Sequence, residues 1–250
     1  MREICVAWDD TPHARWALEF AAMLACRANA RLALVHVTAS TETELIDLGD
    51  AGRPRRTLAA AAASLPPGLL ADERLLVGRP AEQLAAAAWR ADLLVAGTRP
   101  LRGGQRLYAA RLRHALLPGA PCPVALVRRP LTTHEGARPL NTTDPGLEPT
   151  VTWSEHEGAR PFRNVVACGG AAAFELADAL AADLGARVMR SSVARALRAC
   201  RANRALLVVV AGERGHGLRR RLGRSVTDVL VEEAACPVVI ATRRRAARPR

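Results

Sequence analysis

Short, uniformly apolar runs alternate with helically spaced ones along this chain. Ile4-Cys5-Val6-Ala7-Trp8 stops at Asp9-Asp10. A run with no polar position every second residue predicts a strand covered on both faces. Thr11 and Pro12 follow, an N-cap residue and a residue suited to the first helical position. Trp16, Ala17, Phe20, Ala21, Leu24 and Ala25 then recur at helical spacing. Arg31 to Val37 predicts the next strand. After a polar connection come an Ala-rich helical stretch near Thr57 to Ala63, a strand at Arg74 to Gly78 and a helix starting near Pro80. Apolar runs at Leu93 to Gly97 and Val124 to Val127 complete this half.

The same order returns. Val165-Val166-Ala167-Cys168 is followed by Gly169-Gly170, by a helical pattern through Phe174, Leu176, Ala177, Leu180 and Leu184, and by Gly185 to Met189. Leu207 to Gly212 answers Leu93 to Gly97, and Ala234-Ala235-Cys236-Pro237-Val238 answers Ala120-Pro121-Cys122-Pro123-Val124. Two motifs in one order at nearly equal separation mark an internal repeat. The copies are unequal: the helix near Pro80 has its counterpart at Val193 to Arg201, but one strand and one helix have none in the second copy. We expect a first domain at 1–130, a Pro/Gly/Thr-rich linker at 131–162, a truncated second domain at 163–243 and a basic tail at 244–250. Strands alternating with helices predict an α/β fold of two tandem doubly wound units with mostly parallel sheets, the second shortened.

Composition narrows the picture. Half the 250 residues are hydrophobic and only 3% aromatic, so the core must be made of Ala, Leu and Val. No apolar run reaches the roughly 18 residues of a spanning helix, and the first ten residues carry acids where a signal peptide needs apolar ones. A cytoplasmic protein without membrane association is the expectation. The net charge is +12, carried entirely by Arg, with no Lys in the chain. Without aromatic residues interleaved for stacking, nucleic acid is not an expected partner. The six cysteines form no Cys-x-x-Cys pair, which argues for reduced, mostly buried thiols and against a metal ribbon or redox motif.

In a doubly wound sheet, ligands bind beyond the carboxyl ends of strands where strand order reverses. Asp9, Val37 and Gly97 in the first half, and Gly169 and Gly212 in the second, hold those positions. Gly212-Glu213-Arg214-Gly215-His216-Gly217 continues to Gly223-Arg224-Ser225-Val226. Glycines let backbone N–H groups approach an anion, the next helix presents its positive end, and Arg214 adds charge. His13 and His216 read as surface residues, and His36 as a buried strand histidine with its hydrogen bonds satisfied rather than a base.

On these residues the chain resembles a tandem universal stress protein, of the UspA-like branch of adenine-nucleotide α/β folds. The resemblance implies an Asp ending the first strand, at Asp9, that contacts the nucleotide. Ala7 and Val37 stand at positions lining the adenosine pocket. It also implies a phosphate loop Gly-x2-Gly-x9-Gly-Ser/Thr after the fourth strand. In the first half Gly97 matches, but Pro100 replaces the second glycine and Ala110-Arg111 the final pair. In the second half Gly212, Gly215 and Ser225 match with a gap one residue short. Arg224 holds the third glycine's place unless Gly223 serves, and Gly169 replaces the Asp.

The candidate nucleotide-binding residues are therefore Gly212, Arg214, Gly215, Gly217, Gly223, Ser225 and Val226, with Ala7, Asp9, Val37 and Gly97. Three readings follow: a regulatory stress protein binding ATP or AMP weakly through its second half, a non-nucleotide interaction module of the same fold, and, least favoured, an ATP-hydrolysing enzyme. No nucleophile-base-acid set and no carboxylate cluster for Mg²⁺ stands out, so no catalytic or metal residue is assigned. The resemblance also implies pairing through last strands, either between Val124–Val127 and Val238–Ala241 within one chain as a pseudo-dimer, or between chains as a homodimer.

Overall fold

The computed structural model describes residues 1–38, 52–98, 116–128, 164–201, 205–211 and 226–242. Its first half runs β1 (Glu3–Ala7), α1 (Pro12–Ala28), β2 (Arg31–Thr38), α2 (Arg53–Ala63), β3 (Ala71–Val77), α3 (Pro80–Ala87), β4 (Leu93–Gly97) and β5 (Val124–Val127). The second half runs β6 (Asn164–Cys168), α4 (Ala171–Leu184), β7 (Arg187–Arg190), α5 (Val193–Arg201), β8 (Leu207–Ala211), α6 (Val226–Glu233) and β9 (Val238–Ala241). One nine-stranded sheet takes them in the order β3-β2-β1-β4-β5-β9-β8-β6-β7. Every pairing is parallel except β5 with β9, which is antiparallel, with Val124 opposite Ile240 and Leu126 opposite Val238. Outward from that seam, β9-β8-β6-β7 repeats the sense of β5-β4-β1-β2, and among the described residues no strand of the second half corresponds to β3.

The unbroken apolar runs follow from burial on both faces. Ile4 and Val6 of β1 point into one core with α1, α2 and α4, while Cys5 between them points into the other. The same alternation places Leu207 and Val209 with α4, and Val208 and Val210 with α5 and α6. Both cores cross the β5–β9 seam. On one face α1 and α4 pack together; on the other, the Arg128 guanidinium donates to the Val231 carbonyl of α6 at 3.0 Å. With few aromatics, close helix-to-sheet approach does the filling. α1 buries five alanines beside Leu18, Phe20 and Leu24.

Two elements begin three or more residues before their sequence-read starts. β3 begins at Ala71 because it is an edge strand, so Asp72 and Glu73 remain solvated while their backbone pairs with β2. α2 begins at Arg53, where Pro54 in the first turn needs no N–H partner. Glu3 is a buried carboxylate at the start of β1. It pairs with Arg31 of β2 at 2.6 Å and, at 3.7 Å, with Arg74 of β3.

Candidate functional site

Strand order reverses between β1 and β4: β2 and β3 lie on one side of β1, and β4 and β5 on the other. In doubly wound sheets such a reversal, beyond the carboxyl ends of the strands, is where ligands bind. Ala7 is in register with Val35 and Ala96, which brings Ala7, Val37 and Gly97 to one end of three adjacent strands. The register thus brings these three sequence-read positions together. Asp9 stands beyond them, exposed.

Asp9 works within its own loop. Its Oδ1 accepts hydrogen bonds from the Thr11 N–H at 3.2 Å and the Thr11 hydroxyl at 2.5 Å. Thr11 Oγ1 in turn accepts from Ala14 N at 3.2 Å and caps α1. Asp10, between the two, takes a left-handed conformation (φ 55°) and pairs with Arg15 at 3.0 Å. Asp9 and Thr11 thus organise the entry to α1, and the first-turn N–H of Ala14 is taken by a side chain rather than left for an anion.

Gly97 has a packing reason of its own. A Cβ there would overlap the His13 carbonyl and fall 2.7 Å from Ala14 N. The end of β4 lies against the first turn of α1, and only glycine lets it. After it, Thr98 N donates to Val127 O at 2.8 Å, continuing the ladder, and the Thr98 hydroxyl is buried with no partner among the described residues. The resemblance makes Gly97 the first glycine of a phosphate loop; the geometry makes it a helix–strand contact.

His13 is not the surface residue expected from the sequence. It is half-buried, its ring meeting Trp16 edge-on with centroids 4.9 Å apart. Its place in the first turn, over the end of β4, draws it inward. His36 is hydrogen-bonded as expected, with Nδ1 2.8 Å from the Trp8 carbonyl, but it is half-buried rather than buried, because β2 emerges from the core towards its carboxyl end.

The carboxyl end of the second half is barer. β6 ends at Cys168, Gly169 follows with φ 104°, and Gly170 is the N-cap of α4 with no side-chain capping bond. Gly169 lies beside Ala211 at the end of β8, where an added Cβ would sit 3.6 Å from Ala211 Cβ. Val226 opens α6 and is 39% exposed. Gly212, Arg214, Gly215, Gly217, Gly223, Ser225 and His216 lie outside the described residues.

The antiparallel seam has a consequence for these two regions. β1 and β4 run opposite to β6 and β8, so their carboxyl ends face opposite edges of the sheet. Asp9 of the first half and Gly169 of the second therefore stand at opposite ends of the sheet.

Sequence reasoning missed one arrangement. Cys200 and Cys236, 36 residues apart and in no recognisable motif, place their Sγ atoms 2.7 Å from each other. Only the packing of α5 against the start of β9 reveals it. Among the described residues no group of three or more His, Cys, Asp or Glu is placed to hold a metal ion, and no helix is long and apolar enough to cross a membrane.

Strand order and helix placement define a doubly wound, mostly parallel α/β protein. The chain belongs to the universal stress protein family: the model of that family matches residues 1–128. A Thermus aquaticus relative, described as a universal stress protein in a QAH/OAS sulfhydrylase 3′ region, is 34% identical over 138 residues, covering 51% of this chain and 98% of the relative. Among solved structures, a universal stress protein from Archaeoglobus fulgidus DSM 4304 aligns over 96% of this chain and 98% of its own, with a TM-score of 0.63 at 10% identity. A putative universal stress protein from Pseudomonas aeruginosa UCBPP-PA14 covers 96% of this chain and 92% of its own, with a TM-score of 0.53 at 14% identity. At such identities these two structures speak for the fold, and they do so across both halves.

Proposed function

We propose that this protein is a regulatory member of its family that binds ATP or AMP weakly through its second half. The carrying observation is the bare carboxyl end at β6 and β8. Gly169 and Gly170 leave the N-terminus of α4 without a side-chain cap, and the strand beside it runs into Gly212-x2-Gly215 and on to Gly223 and Ser225 in the sequence. A helix N-terminus without a side-chain cap, together with a glycine-rich sequence, suits a phosphate. Arg214 adds charge, and the missing carboxylate at Gly169 removes the group that would hold the ribose, so affinity rests on the phosphate end. Turnover is not part of the proposal.

Isothermal titration with ATP and AMP, each with Mg²⁺, tests it. Heat of binding is expected at millimolar nucleotide, and Gly215→Val with Ser225→Ala should abolish it. No heat from the unmodified chain sinks the reading; binding that survives both substitutions moves the site elsewhere.

A second reading, an interaction module that binds no nucleotide, draws support from the first half. There Asp9 is engaged by Thr11 and Gly97 by α1, so both residues have structural employment that needs no ligand. We further propose that the β5–β9 pairing makes the chain a pseudo-dimer of its own two halves. Localisation in the cytoplasm fits this reading and belongs to the same proposal.

A further inference from the structure

Five of the six thiols are at least partly buried, yet they are not equivalent. Cys26 is exposed on α1. Cys5 lies in the core beside Cys122; burial, with Cys122 as the next cause, pushes its thiol up to about 12, so it stays neutral and inert. Cys200 and Cys236 are different in kind. Cys200 sits in the last turn of α5, 1% exposed, and Cys236 stands half-buried one residue before Pro237 and two before β9. Their sulfurs face each other at 2.7 Å with no other group between them. Pro237 restricts the backbone that carries Cys236, and the packing of α5 holds Cys200.

The electrostatics of the pair favour reaction. The hydrogen bond from Cys236 lowers Cys200 below the ordinary thiol value, against the opposing effect of burial. Cys236 is raised, first by that same hydrogen bond and then by burial. One sulfur of the pair can therefore lose its proton while the S–H of the other holds the thiolate. A thiolate, not a thiol, is the nucleophile in oxidation. Cys168 raises no competing claim: its thiol is pushed up by burial and contacts Ser191 at 4.0 Å.

We propose that Cys200 and Cys236 form a dithiol that hydrogen peroxide oxidises to a disulfide joining α5 to the head of β9. The thiolate of the pair attacks one oxygen of the peroxide; the O–O bond breaks, and the departing hydroxide is protonated to water, leaving a sulfenic acid on that sulfur. The other sulfur of the pair then attacks it. The S–O bond breaks, and hydroxide leaves with the second thiol's proton as a second water. Two thiols and one peroxide give one disulfide and two waters, with sulfur oxidised and peroxide reduced. Closing to a bond of about 2.05 Å requires only a small approach. The half-exposed Cys236 marks the side from which a small oxidant enters. The ring so closed contains β8, the Gly212 to Val226 stretch and α6, but the chemistry does not depend on nucleotide binding there.

The test uses the full chain. After peroxide treatment, remaining thiols are blocked with N-ethylmaleimide in denaturant, and the protein is digested with trypsin without reductant. Ala199-Cys200-Arg201 should appear joined to the peptide carrying Cys236, two hydrogens lighter than their sum and separated by dithiothreitol. Cys5 should carry maleimide. The link should persist in Cys26→Ser, which removes the exposed thiol. The urea midpoint should rise on oxidation and return on reduction in the unmodified chain. Finding Cys200 and Cys236 both blocked by maleimide at a peroxide dose that oxidises Cys26, or either of them joined to Cys26, overturns the proposal.

Discussion

A glycine after a strand has two possible employers, a ligand that needs bare backbone or a neighbour that leaves no room for Cβ. At Gly97 the neighbour is visible: the His13 carbonyl and the Ala14 N–H of α1 occupy the space a methyl would take. Gly97→Ala must push α1 off the end of β4. A loss of about 1–3 kcal/mol is expected, in line with overpacking elsewhere, and a urea melt reads it. A midpoint unchanged from the parent would mean that α1 is not seated there. Thr11→Ala removes a cap and should cost about 1 kcal/mol by the same measurement. Neither experiment contains nucleotide, so both separate the structural duty of these residues from any binding duty.

Elements carry their own titration. Glu19 lies on α1, and burial raises its carboxyl above the ordinary 4.5. Its folded value exceeds its unfolded one, so the ionised carboxylate disfavours the fold at neutral pH. That cost is relieved as pH falls through the raised value and is gone below the ordinary one. Glu19→Gln should therefore raise the urea midpoint at about pH 7 relative to the parent, with the advantage disappearing near pH 4. An advantage of equal size at both pH values would put the effect down to packing.

The elements were also the most legible part of the sequence. α1 declares itself through Thr11, Pro12 and its apolar spacing, and the strands through unbroken apolar runs, because double-sided burial leaves no polar position to confuse the period. β3 was read three residues short because an edge strand can keep Asp72 and Glu73 in water. The site was less legible. Ala7, Val37 and Gly97 could be grouped, since each simply ends a strand. That Gly97 serves α1, that His13 turns inward, and that Cys200 meets Cys236 all depend on which surfaces pack together, which no local pattern records.

At the scale of the whole molecule, the antiparallel β5–β9 seam joins the two halves of the sheet. Both strands are fully buried, and their pairing leaves β3 and β7 as the sheet's edges. β7 is four residues long with Arg at each end, and β3 opens with solvated acids, features that discourage further strand addition. Light scattering should report a monomer near the chain mass of 26.7 kDa. Val239→Asp places a charge opposite Ala125 in the seam and should yield a less stable protein that self-associates through the unpaired β5. A stable homodimer of the unmodified chain, with Val239→Asp monomeric, would show instead that last strands pair between molecules.

The seam also sets a timetable for synthesis. β5 is made with Val127, but its partner is complete only at Ala241, more than a hundred residues later. At about 5–20 residues per second the first half waits on the order of 6–20 s with an apolar strand edge bare. During that interval a nascent chain is at its most adhesive. A neighbouring chain at the same stage offers an identical edge before the native one exists. Crowded translation thus exposes a strand edge that the finished molecule keeps paired.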